Sequence, residues 1–232
     1  MAAGVLETRL LSSLSKVFAD QELGDGAFRR ASCLRGEVFS FQLAYRAQGL
    51  LKGIEVKVDS PLERYISVRE VGLAPCEFPG ARFDDNVLRT TPGLYPDPLY
   101  DLARGADAPP NQWRALWVQV RVPGRRICGR HEIVLRLVHG GNEIARETFV
   151  LDVVAQALPA QKLVHTSWFH ADCIATHYGD PVWSPAHWRR VEQFMRSAVD
   201  HGVNLLLTPL FTPPLDTQVG GERPTEIGRA HV

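Results

Sequence analysis

The sequence carries no excess of either charge, with 26 Lys plus Arg against 26 Asp plus Glu. No net field draws in nucleic acid or an anionic lipid surface from a distance, so neither is expected as a partner. No apolar run reaches the roughly 18 residues that a membrane-spanning helix needs. The opening stretch, MAAGVLETRLLSSLSKVF, has an acidic residue and polar breaks where a signal peptide needs a basic start and an unbroken apolar run. The chain therefore reads as cytoplasmic and not membrane-bound. Cysteine is scarce: Cys33, Cys76, Cys128 and Cys173 lie far apart, with neither CxxC nor Cys/His finger spacing. That pattern points to reduced, mostly buried thiols rather than a zinc site or a disulfide framework. GxSxG, the P-loop and a complete GxGxxG are all missing, and Gly24-Asp25-Gly26 is only a turn. No cofactor is expected.

What is present, from about Leu10 to Val154, is the period of half-buried strands. Phe39, Phe41, Leu43 and Tyr45 fall on one face of Glu37 to Arg46. The same alternation recurs at Ile54, Val56 and Val58; at Leu116, Val118, Val120 and Val122; at Ile133, Leu135 and Leu137; and at Phe149, Leu151 and Val153. Gly49, Ser60-Pro61, Pro123-Gly124 and Gly140-Gly141-Asn142 punctuate the runs as turns. Many short strands without helical periods predict an antiparallel β-sandwich over residues 1–158. One long irregular segment, Pro79 to Asn111, interrupts it. Such a segment packs against a neighbouring domain or is a solvated loop, and its adjacent acids Asp84 and Asp85 read as a turn or cap rather than a catalytic pair.

After the linker Ala155 to Gln161 the pattern changes. Leu163 to Phe169 reads as a buried strand, Ala171 to Trp183 as a loop, and Ser184 to His201 as a helix. Ser184 is its N-cap, Pro185 stands at the first position, and Gly202 is the left-handed residue beyond its end. Trp188, Val191, Met195, Ala198 and Val199 form its apolar stripe, with Phe194 beside it. Val203 to Leu207 follows as a strand apolar on both faces. The three pieces make a β-α-β unit with parallel strands, whose ligands bind where the strands end.

Those ends are rich in polar chemistry. At the end of the first, His170 and Asp172 lie past the strand and make polar contacts to a ligand, with the Trp168 ring beside them as a platform. A packed Trp beside a His/Asp hydrogen-bond pair accounts for the same residues. His165 and His170 are an odd number of residues apart and face opposite sides of a continuing strand, which argues against a shared metal ion. Past the second strand come Thr208, Thr212, Asp216, Glu222 and Arg223, interleaved with Pro and Gly that fix the loop's shape. Hydroxyls, carboxylates and an Arg suit a polyhydroxylated ligand, since each sugar hydroxyl both donates and accepts. A Pro-rigid loop whose Asp and Arg pair internally is the alternative.

In HTSWFHADCIATHY and LLLTPLFTPPLDTQVGGERPT, and also in GEVFSFQLAYRA, PGLYPDPL and NQWRALWVQV, the chain resembles bacterial proteins carrying the DUF4091 domain, which are similar to glycoside hydrolase family 123. The resemblance implies an α+β multidomain protein: an N-terminal antiparallel β-sandwich followed by the first β/α/β unit of a truncated (β/α)8 TIM barrel, over residues 159–225. It further implies hydrolysis of β-linked N-acetylhexosaminides, N-acetylgalactosamine being the sugar attached to the characterised family. In that mechanism the substrate's own 2-acetamido group attacks the anomeric carbon. One acid orients this amide and its neighbour protonates the leaving oxygen, outside the usual two-carboxylate scheme. The family's Asp-Glu pair belongs to a later strand and matches no position here. The eight residues Trp168, His170, Asp172, Thr208, Thr212, Asp216, Glu222 and Arg223 are thus candidates for the substrate-binding rim, and the chain alone is expected to be inactive. Residues 226–232, EIGRAHV, depart from the family and are what GAG ATC GGA AGA GCA CAC GTC, similar to a sequencing adapter, encodes; a foreign tail is expected. A non-catalytic carbohydrate-binding or structural β-sandwich protein is the competing expectation.

Overall fold

The alternating residues between Glu7 and Ala157 settle into two five-stranded sheets, because each strand has one apolar face to bury and the two faces meet. The computed structural model describes residues 6–77 and 87–208. In chain order the strands are β1 (Glu7–Ser12), β2 (Arg30–Arg35), β3 (Val38–Arg46), β4 (Leu51–Asp59) and β5 (Ile66–Cys76). They continue as β6 (Gly93–Asp101), β7 (Ala106–Ala108), β8 (Arg114–Arg121), β9 (Gly129–His139) and β10 (Asn142–Ala157). One sheet has the order β1-β3-β8-β5-β6 and the other β2-β10-β9-β4-β7.

Leu10, Phe41, Leu43, Leu116 and Val118 from the first sheet and Ile54, Ile133, Leu135, Phe149 and Leu151 from the second share one core. Its centre is a ring stack, with Phe41 and Phe149 centroids 4.1 Å apart and nearly parallel at 11°. Across the two sheets, Thr8 Oγ1 of β1 donates to Glu147 of β10 at 2.8 Å, and Arg29 closes the buried carboxylate's other oxygen at 2.7 Å. That pairing is what a buried Glu requires. Tyr45 donates its hydroxyl to the Asp107 carbonyl, fixing β3 to β7.

Neighbouring strands run antiparallel with one exception in these sheets: β2 pairs parallel with β10. The chain leaves β2 through Gly36, at φ +81, and enters β3 of the other sheet at once. The direction of β2 is therefore set by that turn and not by a hairpin partner.

Two sequence expectations need correction in this unit. Residues 79–111 are not one irregular segment: β6 and β7 lie within it, while Asp84 and Asp85 fall outside the described residues. Pro96 and Pro98 disguised β6. As the outermost strand of its sheet it pairs, among the described residues, only with β5, so a missing N–H is tolerated. Gly72, where the β5–β6 register shifts, has no side chain because the Tyr100 ring would lie 2.2 Å from its Cβ. Nor are the thiols mostly buried. Cys33 is, and burial pushes it up to about 11, but Cys128 and Cys173 are exposed and Cys76 is intermediate.

The chain divides into two units, Met1–Leu158 and Pro159–Val232. Every residue from 154 to 168 is exposed, which is where proteases cut. Brief tryptic digestion is expected to cleave after Lys162 and leave the first unit intact. A full-length chain that persists beside an equally exposed control substrate contradicts this.

The second unit holds β11 (Thr166–Trp168), α1 (Ala171–Tyr178), α2 (Pro185–Asp200) and β12 (Leu205–Leu207). Local sequence accounts for α2. Ser184 Oγ accepts from the His187 N–H at 3.2 Å, Pro185 opens the first turn, and Gly202 sits at φ +85 after it. The predicted stripe is only partly covered: Val191 is buried, whereas Trp188, Phe194, Met195 and Val199 are exposed. The predicted loop over residues 171–183 is corrected by α1, whose Ala171 and Ile174 meet the Val191 face of α2. Gly179 ends it in a left-handed cap. Among the described residues no helix is long and apolar enough to cross a membrane.

Candidate functional site

β11 and β12 run parallel, with Thr166, Ser167 and Trp168 opposite Leu205, Leu206 and Leu207. The ladder closes on the Phe169 N–H donating to the Leu207 carbonyl at 2.8 Å. Both strands are shorter than the sequence predicts. Before Thr166 the Asn204 side chain replaces the backbone partner, accepting from the His165 N–H at 2.8 Å and donating to the Leu163 carbonyl at 3.1 Å. Gln161 holds the same end, donating to Gly202 and Leu163 carbonyls.

With register fixed at the start, both chains leave the pair at one edge. Trp168 ends β11 and is 65% exposed. His170, the N-cap of α1, stacks on it at 6.2 Å between centroids and 16° between planes. Asp172 follows in the first turn of α1, where a carboxylate suits the helix dipole, and it is buried at 4% exposure. Thr208, half-buried, comes directly after β12. Thr212, Asp216, Glu222 and Arg223 lie outside the described residues. The described candidates thus divide into an exposed Trp168 stacked on a half-buried His170, and a carboxylate set below the surface. Among the described residues no group of three or more His, Cys, Asp and Glu could hold a metal ion.

Sequence reading missed His187. It is fully buried, accepts from the Trp183 N–H at Nδ1 (3.0 Å), and meets the Ala171 carbonyl at Nε2 (2.8 Å). An N–H donor at Nδ1 leaves the ring proton on Nε2, where it donates to Ala171. Ala171 lies between His170 and Asp172, so this one imidazole ties the start of α1 to α2. The available signal was spacing: His187 stands four residues before the buried Val191, on the same helical face. Arg190 completes the support, pairing with Asp180 while its guanidinium lies 4.0 Å from the centre of the Tyr178 ring.

A two-sheet β unit followed by a parallel strand pair, with helices between the strands and polar side chains beyond their ends, is the class of protein these elements define. The chain is similar to glycoside hydrolase family 123. Residues 168–227 match the family described as glycoside hydrolase 123, catalytic domain. Among solved structures, a family 123 glycoside hydrolase from Clostridium perfringens, studied for glycolipid glycan hydrolysis, superposes with a TM-score of 0.72 at 10% identity. The match covers 88% of this chain and 38% of that one, so the likeness is one of fold over part of the longer protein. The N-terminal domain of PorA superposes at 0.31 and 9% identity, over 65% of this chain and 100% of its own, too distantly to bear on the fold. Comparison with the curated proteins gave no match.

Proposed function

We propose that this chain is part of a glycoside hydrolase acting on β-linked N-acetylhexosaminides, N-acetylgalactosaminides by family resemblance, through attack of the substrate's own acetamido group. One observation carries the reading: the matched catalytic segment begins at Trp168, the last residue of β11, where the exposed ring stacks on His170. An aromatic plane with polar neighbours at a strand end is how a sugar ring is held, apolar face on the ring and hydroxyls to the side. The parallel β11–β12 pair is then the start of a (β/α)8 barrel. Trp168, His170, Asp172 and Thr208, with Thr212, Asp216, Glu222 and Arg223, form its substrate-binding rim. The Asp-Glu pair that the resemblance implies has no counterpart here and would come from further strands of a longer protein.

The test is to read the source gene past codon 225 and assay its product and the 232-residue chain on 4-nitrophenyl N-acetyl-β-D-galactosaminide and the glucosaminide. Hydrolysis by the longer product alone is expected. A longer product that cleaves neither substrate removes the hydrolase reading, and cleavage by the 232-residue chain removes the idea that its acids lie elsewhere.

A further inference from the structure

The outward face of the β1-β3-β8-β5-β6 sheet carries its own small apolar cluster, in which Leu11, Val17, Ala44, Val71, Trp113 and Ala115 pack under the segment that follows β1. Beside that cover lies a hollow of about 220 Å³, with Ser13 and Lys16 on one side and Asp97 and Leu99 of β6 on the other. Gln42 and Trp117, which also line it, are register partners across β3 and β8.

Gln42 is a built polar group rather than a surface one, at 3% exposure. Its Nε2 donates to the Ser12 carbonyl at 3.0 Å and to the Ser15 carbonyl at 2.8 Å. Two carbonyls use both hydrogens and settle which end of the amide is nitrogen. Its Oε1 is left with no hydrogen-bond partner among the described residues, and so is the Trp117 indole N–H. Lys16 and Asp97 are exposed, and neither makes an ion pair among the described residues. The hollow therefore offers acceptors at Gln42 and Asp97, donors at Lys16, Ser13 and Trp117, and an apolar wall at Val71 and Leu99.

We propose that this hollow binds a single neutral sugar ring, with its hydroxyls shared between the Gln42 and Asp97 oxygens and the Lys16 and Ser13 donors. One cation and one anion select for no net charge. Donors and acceptors side by side suit hydroxyls, which are both at once, and an indole beside them suits a ring with one C–H face. The volume lies below the roughly 300–1,000 Å³ of pockets for drug-sized ligands, which limits the occupant to one ring. All lining residues belong to the unit Met1–Leu158, so the site stands or falls independently of the hydrolase reading.

The experiment is a titration of the ¹⁵N-labelled 232-residue chain with N-acetyl-D-galactosamine, D-galactose and D-glucose, following the indole N–H signals of its 5 tryptophans. The Trp117 signal is identified by Trp117→Phe, or by sequential backbone assignment if that variant does not fold. It is expected to move saturably with at least one sugar, with a roughly millimolar Kd. Asp97→Ala and Lys16→Ala, both at exposed positions, are expected to weaken binding about tenfold while leaving the other indole signals in place. No movement of the Trp117 signal overturns the proposal, as does equal binding by both variants. Movement confined to the Trp168 signal also overturns it and places sugar binding at the strand ends instead.

Discussion

Phe149→Ala is expected to remove about 3–5 kcal/mol from the stability of the unit Met1–Leu158. Phe149 is fully buried and meets three other rings: it stacks on Phe41 at 4.1 Å, with Phe28 at 5.5 Å and Phe39 at 5.7 Å. It sits on β10, held on both sides by β2 and β9. Backbone ladders on both flanks keep the walls from collapsing into the vacated volume, and the cost of a core truncation rises with the cavity that remains. Against a total stability of about 5–15 kcal/mol, such a loss brings the unit near its unfolding threshold. Urea unfolding reads it as a lower midpoint at unchanged slope. Phe149→Leu, which keeps most of the volume, should lose only about 1 kcal/mol. Equal losses for Leu and Ala would mean that the ring stack, and not the filled space, is what matters.

The second large effect concerns the support of the strand ends. His187→Leu keeps an apolar body but strands the Trp183 N–H and removes a second donor from the Ala171 carbonyl, which still accepts within α1. A buried polar group left without its partner costs about 1–3 kcal/mol, and the Trp183 N–H sets the loss in that range. Hydrogen exchange should report it locally, as faster exchange of the Trp183 amide and of α1 with no change in β3, β8 or β9. Unchanged protection across α1 and the Trp183 amide would show that Val191 and Ile174 hold the two helices together without the imidazole.

These two residues also mark how much was legible beforehand. Phe149 was plain, because period-two alternation in β3, β8, β9 and β10 names the core side directly, and those faces do meet in one cluster. β6 was hidden because two prolines speak against a strand unless its place at a sheet edge is known, and edge position is a property of the whole fold. α1 was hidden because His, Cys and Thr are indifferent helix formers, and the packing of Ala171 and Ile174 against Val191 of α2 decides the matter instead. The caps of α2 were readable from Ser184, Pro185 and Gly202, since those effects act within a turn of chain. Of the rim candidates, Trp168, His170 and Thr208 come to one edge for the reason that parallel strands share an end. The burial of Asp172 could not be foreseen while its segment read as a loop.

The parallel pairing of β2 with β10 bears on how this protein is made. Arg30 reaches its partner Asp152 across 122 positions of chain, and β10 is the neighbour through which β2 joins its sheet. A ribosome releases β2 long before β10. Until β10 emerges, β2 has no ladder, the second sheet is split, and Phe41 faces water where Phe149 will later stack. Contacts this distant in sequence close slowly and leave strand edges open meanwhile. The first unit should thus complete its fold only after residue 157 has left the exit tunnel, and nascent chains halted earlier should be the ones that chaperones hold.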